Sequence, residues 1–105
     1  MRITISHKRS KEEVIQSVDR SFNEMFQGVG ALPVRLTVEQ RNWQGSTLNF
    51  SLAAKMGLIS TPIRGTVEVT DSDLTINVDL GMLERLVPAQ AVRDAITTRV
   101  KGLLT

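Results

Sequence analysis

Ile63-Arg64-Gly65-Thr66-Val67-Glu68-Val69, then Thr70-Asp71-Ser72-Asp73, then Leu74-Thr75-Ile76-Asn77-Val78-Asp79-Leu80 form one unbroken stretch of the chain. In both arms apolar and polar residues exchange places at nearly every step. A period of two belongs to a strand with one face on a core and the other in water. Thr, Asp and Ser between the arms favour a tight reversal, because their short side chains bond nearby amides. The stretch therefore predicts an antiparallel hairpin with one hydrated face.

The same period continues upstream. Leu48, Phe50 and Leu52 alternate with Thr47, Asn49 and Ser51, and Val34, Leu36 and Val38 with Arg35, Thr37 and Glu39. Four strands in succession make a meander. Arg41-Asn42-Trp43-Gln44-Gly45 is expected to join the first two as a hairpin loop, with Gly45 in a left-handed conformation. The segment from Ala53 to Thr61 is less regular, and Gly57 and Pro62 point to a bend, a bulge or a loop at a sheet edge.

Ile3 and Ile5 alternate with Arg2, Thr4 and Ser6, which adds a short first strand. Ser10-Lys11-Glu12-Glu13 has the spacing of a capping box. After it Val14, Val18, Phe22 and Met25 recur at helical spacing, widened by Ile15 and Phe26, so a helix is predicted over residues 11–27. Gly28 suits the position after its end, and Gly30 and Pro33 stop it from continuing. Beyond the last strand Gly81 is a stop, and Met82 to Leu86 predicts a short helical turn. Pro88 suits the first position of a longer helix with the stripe Val92, Ile96, Val100 and Leu103.

The order β-α-β-β-β-β-α leaves the first strand to pair with the last, giving the spatial order 1-5-4-3-2. Strands one and two then run parallel at opposite edges. Both helices must cover the apolar face, since the other carries Arg, Thr, Glu and Asn. The expected fold is a two-layer α+β domain spanning residues 1–105.

Composition narrows the function. The 105 residues contain no cysteine, one histidine and no tyrosine. A disulfide framework, a thiolate metal site and a Cys nucleophile are thereby excluded. Met1 to His7 alternate instead of forming an apolar run, so no secretory leader is expected. Nothing approaches the roughly 18 consecutive apolar residues of a membrane span. A cytoplasmic protein is expected. The net charge of +2 is too small to imply nucleic acid, and the two signs are interspersed along the chain.

No catalytic, cofactor or metal constellation can be assembled. His7 lies in phase with Ile3 and Ile5 and reads as a residue covering the core edge or closing the strand; no local carboxylate is spaced to orient it as a base. Asp71 and Asp73 read as turn residues, because a calcium loop would need further oxygen ligands and its glycine. Gly28-Val29-Gly30 follows a helix where a dinucleotide fingerprint follows a strand. His7-Lys8-Arg9 and Lys11 form a basic run that Glu12 and Glu13 neutralise. The wet face, with Arg35 and Arg64, lacks the exposed aromatics of an RNA platform, so nucleic acid is not an expected partner.

Two features remain. Trp43 is a candidate ligand or partner aromatic, either folded over the sheet edge or free to stack. Met56, Leu58 and Ile59, with Met82, Leu83, Leu86 and Val87, gather where the sheet opens into loops. They either complete the core under the last helix, line an apolar pocket between that helix and the sheet, or form an exposed patch. An uncovered sheet edge is expected too. Charges on strand two discourage strand addition there and strand one is short, which leaves homodimerisation open.

The chain resembles a family of small proteins described as polyhydroxyalkanoic acid system or granule-region proteins. The likeness rests on Ile3-x-Ile5-x-His7, the Ser10-led helix with Val18-Asp19, Trp43-x-Gly45 with Leu48-x-Phe50, and Gly65-x-Val67-x-Val69. It extends through Leu74-x-Ile76-x-Val78-x-Leu80 into an amphipathic C-terminal helix. The family pattern would place proline where Gly81 stands. The resemblance implies a non-catalytic accessory protein of polyester storage, meeting a granule surface or a granule protein. The element order also resembles a shortened helix-grip domain, which implies the alternative of a small apolar ligand held under the last helix. An enzyme relying on carboxylates alone, such as Asp19, Glu68 and Asp79, is the third reading.

Overall fold

Alternating residues build the strands, and Ser10 caps the start of the first helix. The computed structural model describes residues 1–26, 35–86 and 88–104, without the side chains of Leu83 and Leu86. The strands are β1 (Arg2–Ser6), β2 (Arg35–Gln44), β3 (Thr47–Met56), β4 (Ile59–Val69) and β5 (Asp73–Asp79). The helices are α1 (Lys11–Phe26), the single turn α2 (Leu83–Leu86) and α3 (Ala89–Leu104). All five strands form one antiparallel sheet in the order β1-β5-β4-β3-β2. This is the predicted α+β topology, with β1 and β2 parallel at opposite edges.

The core fills the space between the sheet and the two long helices. Val14, Val18, Phe22, Met25 and Phe26 of α1 and Val92, Ile96, Val100 and Leu104 of α3 are buried. They meet Leu48, Phe50, Leu52, Ile63, Val67, Leu74, Ile76 and Val78 from the sheet. Phe22, Phe26 and Phe50 form a triad with ring centroids 5.2–5.3 Å apart, edge-on or tilted as the ring quadrupoles favour. Gly65, the register partner of Phe50, leaves room for that ring: a Cβ there would lie 2.6 Å from Phe50 Cζ and 2.5 Å from the Asn77 carbonyl oxygen.

The caps differ in detail from expectation. Ser10 Oγ accepts from the Glu13 amide at 3.2 Å, but the return bond runs from the Ser10 hydroxyl to Glu13 Oε1, also 3.2 Å. The carbonyl of Pro88 accepts from Ala91 and Val92, so Pro88 closes the entrance of α3 from just outside it. The fourth buried position of α3 is Leu104, with Leu103 only half-buried. Gly28, Gly30 and Pro33, expected to end the first helix, and Val34 lie outside the described residues.

Two corrections concern the meander. Residues 41–44 are the end of β2, not a loop; the reversal is Gly45-Ser46 alone. The reason is a register shift between Val38 and Gln40. A bulge inserts one residue, so the faces exchange: Leu36 and Val38 point to the helices before it, Arg41 and Trp43 after it. Second, the irregular-looking 53–61 region is an ordinary hairpin, with Gly57-Leu58 between β3 and β4. Gly45 and Gly57 have φ of +62° and +61° and no described residue other than glycine has positive φ, the pattern of a type II′ turn. Pro62 is tolerated in β4 because β5 pairs no further along that strand than Arg64.

Candidate functional site

Among the described residues, the β3–β4 hairpin end is the apolar surface that the fold leaves uncovered. Its turn places Leu58 at the apex, 106% exposed. Ile59 and Met56 are register partners on the helix-facing side, Ile59 exposed at 45% and Met56 half-buried. Met82 follows Gly81, where an added Cβ would lie 3.4 Å from the Pro62 carbonyl oxygen and 3.5 Å from Thr61 Oγ1 of β4, and is 63% exposed at the same end. Leu58, Ile59 and Met82 are thus surface residues; the expectation that this cluster completes the core does not apply to them. Leu83 and Leu86 bound α2, and their side chains, with all of Val87, lie outside the described residues.

Among the described residues, one small space lies between α3 and the sheet. About 20 Å³ is open among Phe26, Leu36, Leu52, Ile63, Val78, Leu80, Val92 and Ile96. That is room for about one water, and the lining is apolar. Neither Met56, Leu58, Ile59 nor Met82 lines it.

Behind the hairpin end, on the opposite face, Arg35 of β2 stands directly across from Lys55 of β3, and both are exposed. Like charges in that arrangement repel. Ser60 is the next residue in the row and Thr37, Ala53 and Pro62 make up the following one, so this end of the wet face carries two cations and no acid. Further along, the wet face forms an open hollow of about 1130 Å³, reaching from Arg2 of β1 to Gln44 of β2. Gln40, Asn42, Asn49 and Asn77 supply amides, and Arg64 sits opposite Asp79. Apart from Pro62, its outward side chains along the strands are polar and none is aromatic, suited to hydrogen bonding rather than stacking.

Trp43 is neither buried nor free. Its indole packs half-buried against the core, and Nε1 donates to Asp19 Oδ1 at 3.0 Å. The same carboxylate oxygen pairs with Arg41 Nη2 at 2.8 Å, and that nitrogen also donates to the Asp19 carbonyl at 2.9 Å. The guanidinium carbon lies 5.4 Å from the Phe22 ring centroid. Ser21, between Asp19 and Phe22, departs from helical geometry at φ −112° and ψ 15°. Arg41 thus ties the kinked part of α1 to the edge strand, a cluster that depends on the bulge in β2.

His7 is buried and serves the architecture. Nε2 lies 2.8 Å from the Thr70 carbonyl and Nδ1 accepts from the Arg9 amide at 3.3 Å, which assigns the ring proton to Nε2. The 70–73 turn is held chiefly by Thr70 Oγ1, which accepts from the amides of Ser72 and Asp73. Asp73 turns instead to the Ser6 hydroxyl. Asp19, Glu68 and Asp79 are all exposed. Asp19 occupies the helix layer and the other two the wet face, where the register sets them about four residues, roughly 13 Å, apart. Among the described residues no three His, Cys, Asp or Glu side chains gather as a metal site. None of the helices described is long and apolar enough to cross a membrane.

No protein-family model, curated protein or solved structure matches this chain.

Proposed function

We propose that the protein is a non-catalytic accessory protein that acts by surface contact, with the β3–β4 hairpin end meeting the surface of a polyhydroxyalkanoate granule. The observation that carries this reading is the exposure of Leu58, Ile59 and Met82 together at one end of the sheet. A fully exposed Leu at a turn apex contributes nothing to the core, whereas contact with an apolar body would remove it from water. The resemblance of the sequence to polyhydroxyalkanoic acid system proteins supplies the chemistry of that body. The space of about 20 Å³ found between α3 and the sheet among the described residues would hold no apolar ligand unless α3 moved away.

The expected attraction is modest. Fully burying a Leu, Ile or Met side chain contributes about 1.5–3 kcal/mol, so three partly covered ones give on the order of 5 kcal/mol. Loss of overall motional freedom costs about 4–15 kcal/mol. Contact through these side chains alone is therefore weak and reversible. Co-sedimentation with lipid-free polyhydroxyalkanoate particles tests it: the wild-type chain is expected in the pellet, and Leu58→Ser reduces the bound fraction about ten-fold. A wild-type chain that stays in the supernatant at all particle concentrations overturns the reading.

A further inference from the structure

We infer that the hairpin end recognises an anionic amphiphile layer, a phospholipid surface, in which Arg35 and Lys55 take phosphate while Leu58, Ile59 and Met82 enter the apolar zone. This rests on the reading above that the hairpin end is the contact surface, and it assigns that surface its chemistry.

The two cations sit at the right depth. Lys55 lies two to three residues below the turn apex, about 7–10 Å at strand rise, and Arg35 is its register partner. Side chains in interfacial segments enter about 5–10 Å into the headgroup boundary. With the apex seated at that depth, both cationic heads lie at phosphate level, and their long stems can extend along the sheet towards it. Arg35 and Lys55 face one side of the hairpin and Met56 and Ile59 the other, so the end enters a layer tilted, with its cationic side uppermost.

Charge favours this occupant over others. The chain has thirteen Lys and Arg and eleven Asp and Glu, and Arg35 and Lys55 stand directly across from one another at this end. Two copies meeting end to end would oppose the same cations, which argues against self-association through this surface. A bare polyester offers ester carbonyls but no anion. A phospholipid layer supplies both missing partners, and an apolar insertion combined with a basic patch is the pairing that makes interfacial binding durable.

Co-sedimentation of the full chain with phosphatidylcholine vesicles, with and without phosphatidylglycerol, reads this directly. Each Lys or Arg near an anionic surface strengthens binding about five-fold, so Arg35→Gln with Lys55→Gln weakens binding to phosphatidylglycerol vesicles roughly 25-fold. The double variant leaves binding to lipid-free polyester particles unchanged. Salt at about 1 M, with a Debye length of about 3 Å, mimics the double variant on the wild-type chain. Leu58→Ser weakens both vesicle and particle binding. Circular dichroism confirms that all variants are folded, as expected for exposed positions. Equal wild-type binding with and without phosphatidylglycerol, or a double variant that binds like wild type, overturns the lipid assignment. Particle binding sensitive to Leu58 would survive that result, so the two proposals fail separately.

Discussion

The two type II′ turns of the meander share a backbone and differ in chemistry. Gly45-Ser46 and Gly57-Leu58 each place glycine at the first central position with φ close to +60°. At the first, the Ser46 carbonyl accepts from the Val69 amide at 3.0 Å and the neighbouring Trp43 is held by Asp19. At the second, Leu58 stands free of the core next to the exposed Ile59, with Met82 exposed at the same end of the sheet. The turn dictates the glycine and is indifferent to the residue after it. Ser46 is what a solvated turn ordinarily carries; Leu58 is not explained by folding, and its exposure is the ground on which the contact surface is proposed.

The largest effect should come from β4, beside the strand that joins the two turns. Gly65→Ala would set a methyl group 2.5 Å from a backbone carbonyl and 2.6 Å from the Phe50 ring. Overpacking of this kind costs about 1–3 kcal/mol, measurable by urea denaturation. Both hairpins should weaken with it, because Phe50 anchors the sheet to α1. An unchanged midpoint would mean that the ring is not confined as described.

The shared backbone is tested next. Gly45→Ala and Gly57→Ala both force a Cβ into left-handed geometry, at about 1–2 kcal/mol each. Nothing crowds either position, so the two losses should match. Unequal losses would show that the ends differ in geometry as well as chemistry.

A smaller effect belongs to the latch near the first turn. Asp19→Ala removes the acceptor of Arg41 and Trp43, but both ionic side chains are substantially exposed, 35% and 52%. Such pairs contribute about 0.2–1 kcal/mol. The loss should be of that order, and Trp43 emission should shift red as the indole loses its partner.

These contrasts also mark what was legible in the sequence. The period of two in 63–80, the capping box and the stripes of both helices sufficed for element order, strand order and the covered face. The bulge was missed, although a trace of it is present: Leu36 and Val38 face inward at even positions and Trp43 at an odd one, which one inserted residue reconciles. Reading 41–45 as a loop ignored that change of parity. The Gly57-Leu58 turn was obscured by Ala53, Ala54 and Pro62, whose small or cyclic side chains blur the alternation on either side. The grouping of Met56, Leu58, Ile59 and Met82 was visible, but not its exposure, because an apolar residue does not announce how far the core extends. The Arg35–Lys55 opposition depends on register, which the bulge and the turn fix together.

The smallest expected effect on folding is also the sharpest discriminator. In Leu58→Ser, urea unfolding and partition onto lipid-free polyester particles are measured on the same preparation. If the second turn is a contact surface and not part of the core, stability stays within about 0.5 kcal/mol of wild type while the bound fraction falls about ten-fold. A loss of about 2–5 kcal/mol, the cost of truncating a buried leucine, or undiminished binding, would contradict the account.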